Sequence, residues 1–149
     1  MNDAQLESLK KEVQAMQKLD HPNILKVYEA KIDGLLTSAR SGKTIKIAYV
    51  VTEYVPNGEL LTHVNNSPFS DRLSRYYIKQ ILSALKHMQD RGMAHRDLKL
   101  DNIALDRDFN VKILDFGMAR DIAGDDLSGQ VRSYVGTAMY MSPEIEKGE

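Results

Sequence analysis

The chain has no cysteine among its 149 residues, which excludes a disulfide framework, a thiolate zinc site and thiol redox chemistry. That fits a reducing compartment. It has no excess of either charge, because 20 basic and 21 acidic residues leave a formal net charge of −1. Such a balance gives no global pull toward nucleic acid or an anionic membrane, so partner choice rests on local sites. No apolar run reaches the length of a membrane span, and Met1-Asn2-Asp3-Ala4-Gln5 lacks the basic start and apolar stretch of a signal peptide. The expectation is a cytoplasmic or nuclear protein with no nucleic-acid and no membrane partner. Internal repeats, low-complexity tracts and interdomain linkers are also missing. What is present, 42% hydrophobic and 28% charged residues, is the composition of an ordinary soluble globular protein.

Leu6, Leu9, Val13 and Met16 recur at spacings of three and four, which predicts a helix from about Asp3 to Leu19, with Asn2 as its N-cap. Pro22 and Asn23 stop it. The β-branched and aliphatic runs Ile24 to Ala30 and Ile45 to Thr52 predict two strands. Asp33-Gly34 and Ser41-Gly42 mark turns between them, and Lys31, Arg40, Lys43 and Lys46 read as a solvated hairpin face in preference to a basic patch. From Ser70 to Arg91 the positions Leu73, Tyr77, Ile81, Leu85 and Met88 predict a second helix, with Gly92 just past its end. Its role is structural. Ile103 to Leu105 and Val111 to Leu114 predict a small hairpin around Asp106 to Asn110. His63 and His87 have no second ligand at metal spacing and read as surface or packing residues.

Between the second helix and that hairpin stands His95-Arg96-Asp97-Leu98-Lys99-Leu100-Asp101-Asn102. An acid, a cation and an amide lie on one short loop, and phosphoryl transfer needs all three. The acid accepts a hydroxyl proton, the cation holds phosphate charge, and the amide oxygen ligates a hard divalent metal. Downstream come Asp115-Phe116-Gly117 and then Gly136-Thr137 with Ser142-Pro143-Glu144. In this order and spacing the three motifs resemble those of the eukaryotic protein kinase family. The likeness covers nearly the whole chain. Lys99 placed after Asp97, with Thr137 in a Gly-Thr pair before Tyr140, resembles the serine/threonine branch.

The resemblance implies an α+β, kinase-like fold in one partial domain spanning 1–149. Residues 1–55 would be the small-lobe remnant and hinge, and 56–149 the large-lobe part through the activation segment. It implies ATP and Mg2+ as cofactors and a Ser/Thr hydroxyl of a protein as acceptor. Asp97 would orient that hydroxyl and take its proton, Lys99 would neutralise the transferred phosphoryl group, and Asn102 and Asp115 would hold magnesium. The backbone of Glu53 and Val55 would meet the adenine edge beside Thr52, Glu59 would reach the ribose, and Ala104 would floor the base pocket. Glu12 would be the small-lobe helix glutamate that pairs with a strand lysine. His95 and Phe116 would pack with Met16 and Val27. Arg96 would dock a phosphorylated activation segment, with Ser133 the preferred phosphosite and Ser128 and Thr137 the others, implying an upstream activating kinase.

Two parts of the family pattern are missing from these residues. There is no Gly-x-Gly-x-x-Gly, and no strand lysine precedes Glu12. Losing one preorganised charge contact costs about 3–4 kcal/mol of transition-state stabilisation. The chain by itself is therefore expected to be a poor kinase or none. Helices that follow the Pro-Glu motif in the family are also missing, so the second helix is expected to show wet apolar faces and Glu144 lacks a buried arginine. Two readings stay open: part of an active serine/threonine kinase, supported by intact Asp97, Lys99, Asn102 and Asp115, or a non-catalytic binding module.

Overall fold

Helix α1, Asp3–Gln17, buries its apolar stripe from the C-terminal end, where Met16 and, just beyond the helix, Leu19 enter the core. A computed structural model describes residues 3–121, 136–143 and 147. After α1 the backbone runs through His21-Pro22-Asn23 and fastens onto the middle of the molecule. Ile113 N–H donates to the Asn23 carbonyl at 2.8 Å, and Leu25 N–H donates to the Ile113 carbonyl at 3.0 Å. The Asn23 side chain adds bonds of 2.9 Å to Gln80 Oε1 and to the Val111 carbonyl. One buried asparagine thus ties this segment to a helix and a strand that follow much later in sequence.

Strands β1, Val27–Thr37, and β2, Thr44–Thr52, form an antiparallel pair. The first strand differs from expectation at both ends: it begins at Val27 and runs through Asp33-Gly34 instead of turning there. Register shifts between Lys31 and Gly34 mark a bulge. The cause is packing, since a Cβ on Gly34 would lie 2.6 Å from the Tyr49 ring. Glycine admits the close approach of the ring and lets the ladder continue past the bulge. The turn falls at Ser38 to Lys43 alone.

After the connecting stretch come α2, Leu60–Asn66, and α3, Asp71–Gln89, whose N-cap Ser70 accepts from Leu73 N–H through its side chain. Tyr77, Ala84 and Met88 of α3 are buried, whereas Tyr76, Ile78 and Leu82 are 48%, 52% and 58% exposed on its other faces. Gly92, at φ 67°, turns the chain back into β3, Met93–Ala94. Strands β4, Ile103–Leu105, and β5, Val111–Ile113, form the expected hairpin, and β6, Arg120–Asp121, pairs with β3. The loop of the hairpin is set by Asp106, whose Oδ1 accepts from the N–H groups of Asp108 and Asn110. Ile24, Met88, Leu105, Val111, Ile113 and Phe116 are the most deeply buried large side chains, so the core lies under the hairpin and against α3. No helix among the described residues is long and apolar enough to cross a membrane.

Candidate active site

The loop between β3 and the 3-10 turn Leu100–Asn102 closes on its own acid. Asp97 is 8% exposed. Thr137 Oγ1 donates to its Oδ1 at 2.7 Å, Lys99 Nζ pairs with Oδ2 at 2.9 Å, and Asn102 Nδ2 donates to Oδ2 at 3.1 Å. Asn102 Nδ2 also reaches the Asp97 carbonyl at 2.9 Å, and Lys99 donates to Thr137 Oγ1 at 2.8 Å. Four side chains therefore form one ring. Burial pushes the Asp97 carboxyl up, but hydrogen bonds from Thr137, Lys99 and Asn102 and the Lys99 charge outweigh it and hold the group below its ordinary value. It is ionised at neutral pH. The same contact acts in reverse on Lys99, which the Asp97 carboxylate raises against partial desolvation.

His95 holds this loop from beneath. Its Nε2–H donates to the Leu114 carbonyl at 2.9 Å, leaving Nδ1 to face Asp97 N–H at 3.4 Å. Its ring meets Phe116 nearly edge-on, with centroids 5.1 Å apart. Burial lowers the His95 pKa and outweighs the Leu114 carbonyl and the charges of Asp115 and Asp97, which raise it. A second proton would have to enter at Nδ1, against Asp97 N–H. Burial also lowers His21, with His87, Lys112 and Arg91 adding to the effect, and it lowers His87, where Arg91 adds to it against the opposing charges of Asp20 and Asp90. In the unfolded chain these histidines titrate near the ordinary value of about 6.5. Stability is therefore full above that pH and falls as pH drops through it toward the lowered folded values, because the unfolded state binds more protons. Urea midpoints measured from pH 7.5 to 5.5 should decline, and His95→Phe, which cannot titrate, should flatten the slope.

Asn102 and Asp115 meet the requirements of a hard cation. The Asn102 amide nitrogen is committed to Asp97, which leaves the amide oxygen without a hydrogen-bond partner among the described residues. Leu114 N–H donates to the Asn102 carbonyl at 2.8 Å, keeping the approach to Asp115 alongside the loop. Asp115 is exposed, sits at a left-handed φ of 54°, and accepts from Gly117 N–H at 3.1 Å through one oxygen. Its second oxygen has no hydrogen-bond partner among the described residues. Two oxygen donors of this kind fit Mg2+.

Glu59 stands in an antiparallel bridge to Ala104, which is 2% exposed. Leu105 N–H donates to the Gly58 carbonyl at 2.9 Å, and Asn57 N–H donates to the Leu105 carbonyl at 3.2 Å. The segment after β2 is thus sewn to β4 through Asn57, Gly58 and Glu59, which sets Glu59 beside Ala104. The Glu53 side chain is turned inward. Its Oε1 accepts from Lys26 N–H at 2.7 Å, and its carboxylate pairs with Lys112 Nζ at 2.8 Å.

Arg96 has φ 67°, and its Nε donates to the Met118 carbonyl at 2.6 Å, fastening the loop to the segment after Asp115-Phe116-Gly117. Gly136, at φ 124°, comes so close that a Cβ would lie 2.8 Å from the Arg96 carbonyl. That approach delivers Thr137 to Asp97. Thr137 is therefore a member of the acid's ring, its hydroxyl donating to Asp97 and accepting from Lys99. Ser133, Ser128 and Glu144, together with Asn2 and the side chain of Glu12, lie outside the described residues.

Two residues escaped the sequence reading. Lys112 is 9% exposed in the apolar triplet Val111-Lys112-Ile113 and neutralises Glu53. The signal was there, since a lysine in a buried strand needs a carboxylate. The ring role of Thr137 had no local signal.

The protein kinase domain family matches residues 1–149. The 3-phosphoinositide-dependent protein kinase 1 of Rattus norvegicus is 35% identical over 136 residues, 91% of this chain and 22% of that protein. Putative 3-phosphoinositide-dependent protein kinase 2 of Homo sapiens is 35% identical over the same length, which is 32% of that protein. Serine/threonine-protein kinase SIK2 of Gallus gallus is 33% identical over 151 aligned positions, covering 100% of this chain and 17% of that protein. The chain thus spans a third or less of the length of these relatives.

Proposed function

Because the chain belongs to the protein kinase domain family, we propose that it supplies the catalytic loop and metal-holding residues of a serine/threonine protein kinase. The observation that carries this reading is the closed ring of Asp97, Lys99, Asn102 and Thr137. Each Asp97 oxygen has a different duty. Oδ2 is filled by Lys99 and Asn102, whereas Oδ1 takes only Thr137 among the described residues and keeps one lone pair for an incoming hydroxyl. The proton of the acceptor serine or threonine moves to that Oδ1.

A cavity of about 250 Å3, lined among others by Asp97, Leu98, Thr137 and Tyr140, opens at this carboxylate and receives the acceptor side chain. Lys99, within reach of the same oxygens, counters charge on the phosphoryl group in transit. Asn102 and Asp115 would hold magnesium, which when bound would neutralise phosphate charge. The backbone of Glu53 and Val55 receives adenine, with Glu59 at the ribose and Ala104 beneath the base. Glu12 completes the small-lobe side of the phosphate site, and residues 1–55 and 56–149 divide between the two lobes. The reading includes an upstream kinase acting on Ser133 or Ser128, and a cytoplasmic or nuclear setting.

The test is transfer of labelled γ-phosphate from Mg-ATP to matched serine, threonine and tyrosine peptides by the native protein that carries this segment. Transfer to tyrosine alone would sink the serine/threonine assignment, and no transfer to any peptide would sink catalysis. Thr137→Val keeps the shape and removes both hydroxyl bonds, so kcat should fall about tenfold, the worth of one or two such bonds. The KM for ATP should stay within a few-fold. An unchanged kcat would remove Thr137 from the mechanism.

A further inference from the structure

The distal half of the β1–β2 hairpin has no part in the chemistry above, and it is unusual in charge. From Gly34 to Thr52 the chain has no Asp or Glu, yet this stretch holds Arg40, Lys43 and Lys46. Lys31, nearer the body, is paired with Glu29 at 3.0 Å. The side chains of the other three make no ion pair among the described residues. Leu36 and Ile45 face each other across the ladder and are 53% and 46% exposed, while Leu35, opposite Lys46 on the other face, is 67% exposed.

The tip is also built rather than loose. Ser38 N–H donates to the Lys43 carbonyl and Gly42 N–H to the Ser38 carbonyl, each at 2.9 Å, and the Thr37 and Thr44 hydroxyls bond at 2.9 Å. Gly42 takes φ 65°, the left-handed turn position that glycine fills without strain.

We propose that this hairpin tip is a docking surface for an acidic peptide segment of a partner protein that also carries apolar side chains. The Leu36–Ile45 pair on one face and unpaired Lys46 on the other suit a strand-like peptide that alternates acid and aliphatic residues, because its side chains also alternate faces. A second copy of the chain would bring like charges together. A membrane-seated loop would need its apolar residues foremost, whereas here the apex, Ser38 to Lys43, is polar and the Leu36–Ile45 pair is set back along the strands.

Fluorescence anisotropy of a short labelled peptide of alternating glutamate and leucine, titrated with the native protein that carries this segment, reads this directly. Binding should weaken about tenfold between 50 and 300 mM salt, as screening of exposed charges requires. The triple variant Arg40→Glu, Lys43→Glu, Lys46→Glu should lose at least about tenfold in affinity, and so should Leu36→Thr with Ile45→Thr, each removing one half of the recognition. All five positions are exposed, so the variants should keep the wild-type circular dichroism spectrum. An affinity unchanged by charge reversal would overturn the proposal. So would cation-dependent co-sedimentation with phosphatidylserine vesicles without peptide binding, which would assign the tip to a membrane, or tip-dependent dimerisation in analytical ultracentrifugation.

Discussion

Asp97→Asn in the native protein that carries this segment is expected to lower kcat for phosphoryl transfer by about 10²–10⁴-fold, the usual worth of a positioned general base. An amide has the size of the carboxylate but cannot take the acceptor proton at Oδ1. The ring suffers as well. Lys99, whose side chain is 22% exposed, loses the anion that raises it, and the new amide must present an N–H either to Lys99 and Asn102 or to Thr137. The adenine contacts proposed above involve Glu53, Val55, Glu59 and Ala104 and not Asp97, so the KM for ATP should change little, the signature of an interaction made at the transition state. Asp97 is already held ionised, so the wild-type rate should show no acid limb from this group in the neutral range. A drop of less than about threefold would remove Asp97 as the base, given the size of effect such groups normally have. It would favour a non-catalytic binding module, which should also tolerate Asp115→Ala in its own binding assay.

The reason this site could be read from sequence is that its chemistry is contiguous. Asp97, Lys99 and Asn102 occupy one loop, and the turn Leu100–Asn102 brings the amide back to the acid. Helix α3 was legible because its buried positions keep a helical period, and the β4–β5 hairpin because Asp106 organises its own turn. Partners far apart in sequence were hidden. Asp97 and Thr137 are 40 residues apart, and their contact depends on Gly136 passing the Arg96 carbonyl, a tertiary fact with no periodic trace. The bulge at Gly34 was read as a turn for a similar reason. Asp-Gly suits either one, and the Tyr49 ring lying over the glycine decides.

Phe116→Ala should destabilise the chain by about 3–5 kcal/mol, the range for emptying a buried aromatic site. Phe116 is 1% exposed and belongs to the same buried cluster as Met16 of α1, Met88 of α3 and Ile113 of β5, with Val27 packed against it. It is the one buried side chain of Asp115-Phe116-Gly117, so it anchors the turn that aims Asp115. Its removal takes away the ring against which His95 is set, and His95 in turn holds the Leu114 carbonyl and faces Asp97 N–H. A loss of that size is a large part of the roughly 5–15 kcal/mol that a domain has in total, so a partly unfolded population is expected at 37 °C. Phe116→Leu keeps most of the apolar volume and should cost clearly less, about 1–2 kcal/mol, as a change of shape more than of burial. Urea unfolding of the two variants separates packing from positioning. If Phe116→Leu stays folded but loses the magnesium dependence of nucleotide binding, the aromatic ring positions Asp115 as well as filling the core. If Phe116→Ala costs less than about 1 kcal/mol, the cluster is not the support of the site, and the coupling of α1 to the catalytic loop must run through Asn23 instead.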